Sequence, residues 1–281
     1  RRGKTPSSII KKSTMKKIIE ISMSYGKVQH LSEVLPLIPS NTILCKTLTG
    51  IGATYGELRT ARNPIIIEPN RPVIYGKCHD SKHKDENLFG VDEGVYTQDV
   101  FNYITKSQDR NKKIKILTTP ESFYKVRMAF EQNGIDIRTD GYFLLFDECQ
   151  KIVKDCGYRK NISLPMDYFF ECNDKAIVSA TPPSEFADPR FENFDILTIR
   201  PNFNYKKAIT VCPTNNILER TRQLLLQLDE QPVFFFINST DIILAMMEQL
   251  ELREQSAVFC SADSVDKLKS QKFSNAHENW E

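Results

Sequence analysis

The sequence predicts an α/β fold: a parallel sheet flanked by helices, followed by a second α/β unit that begins near residue 207. Short apolar runs rich in β-branched residues recur along the chain. They are continuous rather than alternating, the pattern of strands buried on both faces. Segments of helical spacing separate them, and strand–helix alternation is the mark of a parallel sheet.

In order, the runs are Ile43-Leu44-Cys45, Ile65-Ile66-Ile67, Ile114 to Leu117, Tyr142 to Phe146, Ala176-Ile177-Val178 and Ile196 to Ile199. Glu121 to Gln132 reads as a helix carrying Phe123, Val126, Met128, Ala129 and Phe130, with Gly134 as its stop signal. Residues 76–94 are polar and bounded by glycines, which reads as a surface insertion. Arg200-Pro201-Asn202-Phe203-Asn204-Tyr205 reads as a linker. Beyond it, Ile209-Thr210-Val211, Val233 to Ile237 and Ala257-Val258-Phe259 read as strands, with Phe234, Phe235 and Phe236 placed in a core. Asn215 to Leu228 and Ile242 to Leu252 read as helices, the second capped by Asn238-Ser239-Thr240-Asp241.

The chain has 281 residues, 40% apolar and 26% charged, enough for one full domain and part of another with an ordinary core. A formal net charge of +2 excludes a global polycation. Charge is nevertheless uneven. Arg1, Arg2, Lys4, Lys11, Lys12, Lys16, Lys17 and Lys27 face one acid, Glu20, within residues 1–30. That basic N-terminal segment reads either as an electrostatic footprint for phosphate backbones or as a solvated terminus. The seven cysteines, an odd count with no CxxC pair, suit a reducing cytoplasm better than a disulfide scaffold. No run approaches the roughly 20 apolar residues of a membrane span, and no signal-peptide pattern is present. A start at Arg-Arg-Gly without Met and an end at Asn-Trp-Glu point to a piece of a longer polypeptide.

The strongest chemical signal is Tyr142-Phe143-Leu144-Leu145-Phe146-Asp147-Glu148-Cys149-Gln150. A buried strand ends in two adjacent carboxylates, at the edge where open parallel sheets bind ligands. Such acids are costly to bury without a cation, and Mg²⁺ held with nucleotide phosphates would supply one. The second acid would then orient or deprotonate an attacking water. A solvated strand-to-loop junction gives the same pattern by chance. Further on, Ala176-Ile177-Val178-Ser179-Ala180-Thr181-Pro182-Pro183 is another apolar strand ending in small hydroxyl residues.

Together these two segments resemble motifs of the superfamily 2 helicases, with the DEAD/DEAH-type, RecA-like ATPase core. Asp147-Glu148-Cys149-Gln150 resembles motif II (Walker B), and Ser179-Ala180-Thr181 resembles motif III, which couples the ATP site to nucleic-acid contacts. Thr49-Gly50-Ile51-Gly52-Ala53-Thr54 resembles motif I, the phosphate loop. Ile65 to Pro72 takes the place of motif Ia, Thr118 to Phe123 of motif Ib, and Val233 to Thr240 of motif IV. The likeness spans roughly residues 40–262, and motifs V and VI would lie beyond residue 281.

The resemblance implies a P-loop NTPase-type fold. A basic segment would occupy residues 1–30, an ATP-binding RecA-like domain 31–200, and the start of a second RecA-like domain 207–281. It implies ATP and Mg²⁺ as cofactors, and nucleic acid as partner, DNA ahead of RNA. Asp147 would bind Mg²⁺ and Glu148 would activate water. Gly50, Gly52 and Thr54 would hold phosphates, with Thr54 also serving Mg²⁺. Ser179, Thr181 and Gln150 would couple nucleotide state to strand grip, with Thr119 and Arg71 as backbone contacts. This chain alone is expected to turn ATP over poorly without the second domain's arginines.

The sequence departs from the family at one critical point. Ala53 stands where the phosphate loop normally carries its lysine. The glycines still permit backbone N–H groups to cradle phosphate, but the point charge on the terminal phosphates is missing. Lys46, just upstream, is the candidate replacement. Two accounts follow: a divergent working ATPase, or a degenerate module that binds nucleic acid or partners without hydrolysis. Cys78, His79 and His83 lack the second ligand pair that structural zinc needs, and no Ser/His pair near Asp147 suggests a hydrolase triad.

Overall fold

The computed structural model describes residues 14–151, 163, 165–182, 188–228 and 231–278. Arg1, Arg2, Lys4, Lys11, Lys12, Cys156, Pro183 and Trp280 lie outside the described residues. The chain divides into two compact units, Arg1–Lys206 and Lys207–Glu281.

The first unit is built on an eight-stranded sheet. Its strands are β1 (Lys16–Ile21), β4 (Thr42–Lys46), β5 (Asn63–Ile67), β6 (Leu88–Val91), β7 (Lys115–Thr118), β8 (Tyr142–Asp147), β9 (Asp174–Ser179) and β10 (Asp195–Pro201). A small antiparallel hairpin, β2 (Met23–Ser24) and β3 (Lys27–Val28), follows the first of them. The strand order is β1-β10-β4-β9-β8-β5-β7-β6, and every pairing in it is parallel. All eight carboxyl ends therefore share one edge.

Alternation along the central strands sends successive side chains to opposite faces. Ile65, Ile67, Ile116, Leu144 and Phe146 enter one buried layer, whereas Leu44, Ile66, Leu117 and Leu145 enter the other. Helices α4 (Thr97–Asp109) and α5 (Phe123–Gln132) cover the first layer through Val100, Ile104, Val126 and Phe130. Helices α1 (Leu31–Val34), α2 (Ala53–Leu58) and α3 (Arg71–His79) cover the second through Leu31, Leu58 and Ile74. Each fully buried side chain of this size contributes about 1.5–3 kcal/mol relative to exposure. The α/β class and the helix-flanked parallel sheet are as the sequence predicts.

Local differences have physical reasons. The helix expected from Glu121 starts at Phe123, because Pro120–Ser122 forms a 3-10 turn capped by the Thr119 hydroxyl, which accepts the Ser122 N–H at 3.3 Å. Residues 76–94 are not a surface insertion. They complete α3, form a 3-10 turn at Ser81–His83 and supply β6, which adds to the sheet beside β7. Lys16 and Lys17 lie in β1, an edge strand whose outer residues stay exposed.

The second unit contains helices Ile217–Gln227, Thr240–Gln249 and Ala262–Ser270 and a two-stranded parallel pair, β11 (Val258–Phe259) and β12 (Ala276–His277). Ser239 caps the middle helix by accepting the Ile242 N–H at 3.4 Å. Leu244, Met247, Val265, Leu268 and Phe273 form its core. The strands expected at 209–211 and 233–237 do not form: neither segment takes regular secondary structure. Phe236 is 95% exposed, and Phe234 and Phe235 are also exposed rather than core.

Candidate functional site

At the carboxyl edge of the first sheet, one cavity of about 350 Å³ is lined by the 50–54 turn together with Lys46, Glu68, Lys77, Asp147 and Glu148. β4 delivers Lys46 and leads into the glycine turn. Gly50 and Gly52 sit at φ +74° and +85°, in the left-handed region that a side chain disfavours. No heavy atom lies within 4 Å of where a Gly50 Cβ would stand, so backbone conformation, not crowding, selects glycine there. α2 begins directly after Gly52, which places Thr54 in its first turn.

β8 delivers the two acids. Lys46 Nζ lies 3.1 Å from Asp147 Oδ1 and 3.0 Å from Glu148 Oε1. The Thr54 hydroxyl donates to Asp147 Oδ2, and the Glu148 N–H donates to Asp147 Oδ1 at 2.9 Å. Burial pushes the Asp147 carboxyl toward protonation, but Lys46, the Thr54 hydroxyl and Lys77 outweigh it and hold the acid below its usual range. For Lys46, burial favours the neutral amine, but the facing carboxylates prevail and hold the ammonium charged above its usual value. Glu148 has φ +52°, a conformation that costs a non-glycine residue about 1–3 kcal/mol and gathers at functional sites.

A relay runs from Glu148 to β9. Gln150 Nε2 donates to Glu148 Oε2, and the Ser179 hydroxyl donates to Gln150 Oε1. Ser179 Oγ also accepts the Thr181 N–H at 3.0 Å. Thr181 thus joins through its backbone, and its residue surface is exposed. The structure therefore brings Lys46, Gly50, Gly52, Thr54, Asp147, Glu148, Gln150 and Ser179 together. Arg71 and Thr119 lie apart from this constellation. Arg71 opens α3 and pairs with Asp92 and Glu93, both at 3.3 Å, with an exposed side chain. Thr119 is 4% exposed and its hydroxyl is occupied as a cap, which leaves it no surface for a strand contact in this conformation.

Comparison with solved structures returns helicase folds. The chain aligns over 84% of its length with a DEAD box protein from Methanococcus jannaschii, at 17% identity, a TM-score of 0.42 and 68% coverage of that chain. It aligns over 84% with a hypothetical ATP-dependent RNA helicase from Sulfolobus tokodaii, at 11% identity, a TM-score of 0.38 and 72% coverage of that chain. It aligns over 85% with the Mycobacterium smegmatis helicase Lhr, at 12% identity, a TM-score of 0.44 and only 37% of that chain. No family profile and no curated protein matches the sequence. Likenesses this distant leave the chemistry to be argued from the cavity itself. No helix among the described residues is long and apolar enough to cross a membrane.

The sequence assigns Glu68 and Asn70 only to the motif Ia segment and Lys77 to a loop, a solvated one or one that touches nucleic acid, whereas the structure puts all three at the cavity. Glu68 follows the apolar run Ile65–Ile67 as Asp147 follows its own strand, so the same strand-end rule finds it. Its Oε1 accepts from Asn70 N at 3.1 Å and Asn70 Nδ2 at 3.2 Å. Burial, then repulsion from Asp147, raises its pKa to about 7. Lys77 shares a helical face with Val73, which also lines the cavity.

The residues present fit a magnesium–nucleotide complex by their chemistry. Asp147 and Thr54 offer adjacent hard oxygen atoms, the donor type Mg²⁺ takes. The glycine turn exposes backbone to the cavity, and the cavity volume lies within the roughly 300–1,000 Å³ of small-molecule sites.

Proposed function

We propose that this chain carries the nucleotide site of a superfamily 2-type ATPase that is driven on nucleic acid, as a helicase or translocase. The observation supporting the reading is the convergence of Lys46, the 50–54 turn, Asp147 and Glu148 on one cavity at the carboxyl edge of a parallel sheet.

In this reading Asp147 and Thr54 hold Mg²⁺ with the phosphates, where the ion supplies positive charge against the developing negative charge of phosphoryl transfer. The 50–54 backbone cradles phosphate. Glu148, held by Gln150 and Lys46, orients the attacking water and takes its proton. Lys46 supplies from β4 the cation that Ala53 does not. Ser179 communicates the state of Glu148 to β9 through Gln150. The nucleic-acid dependence comes from the likeness of these segments to motifs II and III, with DNA the partner expected first.

Because slow turnover is expected of this chain alone, the test is single-turnover MgATP hydrolysis with the protein in excess, with and without single-stranded and duplex DNA or RNA, beside Glu148→Gln. Nucleic-acid-stimulated turnover that Glu148→Gln abolishes supports the reading. Stimulation by neither nucleic acid removes the motor. Salt-sensitive nucleic-acid binding without turnover favours a non-hydrolysing module, the alternative that Ala53 raises.

A further inference from the structure

The cavity holds a second ammonium group, and it comes from α3 rather than from the segment around the glycine turn. Lys46 directs two of its three donors at Asp147 and Glu148, the two groups on which the proposed hydrolysis depends. Lys77 is placed differently. Its side chain is 21% exposed, and its Nζ lies 3.9 Å from Glu68 Oε2, beyond hydrogen-bond reach. Glu68 is satisfied elsewhere, since its other oxygen accepts both amides of Asn70. Among the described residues no hydrogen bond from the Lys77 ammonium is found.

A mostly buried ammonium is costly where little water reaches it and no acceptor among the described residues takes its donors. Burial accordingly favours the neutral amine of Lys77. The loose pair with Glu68 keeps the group in the cavity without saturating it. Lys77 faces the same space as Gly50–Thr54 and Asp147, so an anion seated against the glycine turn lies before its donors.

We infer that Lys77 is a second phosphate-contacting cation of this cavity, engaging the terminal phosphates of a nucleotide where Ala53 offers no charge. The inference rests on the nucleotide reading above and adds to it a contact from outside the phosphate loop. Glu68 acts as a positioning residue, holding the ammonium at the cavity wall until phosphate takes its donors. A lysine suits this role because its point charge on a flexible stem reaches a phosphate without a fixed geometry.

Calorimetric titration of the full chain with MgATP, MgADP and AMP tests it, on wild type, Lys77→Met, Lys77→Gln and Lys77→Arg. Loss of one charge-assisted contact weakens MgATP binding about tenfold or more in Lys77→Met and Lys77→Gln, with AMP changed less than about twofold. Lys77→Arg is expected to retain the preference of wild type for ATP over AMP. Thermal unfolding of each variant accompanies the titration, and Lys77→Gln carries the test if Lys77→Met does not fold. Equal affinity for MgATP in wild type and Lys77→Gln overturns the inference while leaving the nucleotide site in place. Equal weakening of ATP and AMP also overturns it, since that marks a structural role. A wild-type chain that binds no MgATP overturns the nucleotide reading and this inference with it.

Discussion

The ammonium of Lys46 stands 3.1 Å from Asp147 Oδ1, so the end of β4 is tied to the end of β8 across β9, which lies between them in the sheet. The same ammonium reaches Glu148 at 3.0 Å. Both Lys46 and Asp147 are buried, and neither charge is tolerable there alone. Removing one partner of a buried pair costs about 3–5 kcal/mol, because the remaining charge is uncompensated. Lys46→Ala is therefore expected to lower the unfolding free energy measured in urea by an amount of that order and to abolish MgATP turnover. Turnover at the wild-type rate in a folded Lys46→Ala chain removes Lys46 from the proposed chemistry.

Gln150 connects Ser179 to Glu148 through two side-chain hydrogen bonds. Ser179→Ala deletes a donor to a buried amide and leaves Gln150 Oε1 unsatisfied. The expected cost is about 1–3 kcal/mol of stability. Under the proposed function, Ser179→Ala also lowers the stimulation of turnover by nucleic acid while leaving MgATP affinity near that of wild type. Unfolding by urea reads the first effect and stimulated turnover the second. Unchanged values of both detach Ser179 from the relay.

The strands that carry the site were legible because burial on both faces forces an unbroken apolar run, as in Ile65–Ile67 and Tyr142–Phe146. The two strands of the eight-stranded sheet that the sequence does not announce, β1 and β6, are its outermost. Edge strands need cover on one side only, so β1 tolerates Lys16, Lys17 and Glu20, and β6 tolerates Gly90. Lys77 was hidden by its neighbourhood, a charged stretch that reads as loop although α3 continues to His79. In the second unit the failure ran the other way. Phe234–Phe236 carries a strong strand pattern, yet no strand forms there and all three rings are exposed, because apolar β-rich composition alone does not decide burial.

Gly50 and Gly52 make a prediction about the turn itself. A Cβ at Gly50 meets nothing within 4 Å, and one at Gly52 meets His30 Nδ1 at an ordinary 3.6 Å. The cost of alanine at either position is thus set by backbone conformation, about 1–2 kcal/mol for an L-residue held left-handed. Gly50→Ala and Gly52→Ala are expected to lose comparable stability in thermal unfolding. A loss several times larger at Gly52 alone shows that the packing against His30 is tighter than its distance implies.

Glu68 gives the site a pH signature that requires no nucleotide. In the folded chain burial and the nearby Asp147 raise its pKa to about 7, against 4.5 for the free side chain. Between these values the folded state holds a proton that the unfolded chain has released. Stability from this group is therefore complete below about pH 4.5 and is lost as pH rises toward 7. The gap amounts to about 2–3 kcal/mol between pH 5 and pH 8. Asp147 does not mask the effect, because its lowered pKa confines its own contribution to pH values below its ordinary 3.8. Glu68→Gln has no proton to lose. Its unfolding free energy, measured in urea at pH 5 and at pH 8, is expected to fall by about 2–3 kcal/mol less than that of wild type over the same interval. An identical decline in both proteins shows that Glu68 is ionised in the folded chain across this range, with Lys77 and water carrying more of its charge than the burial implies.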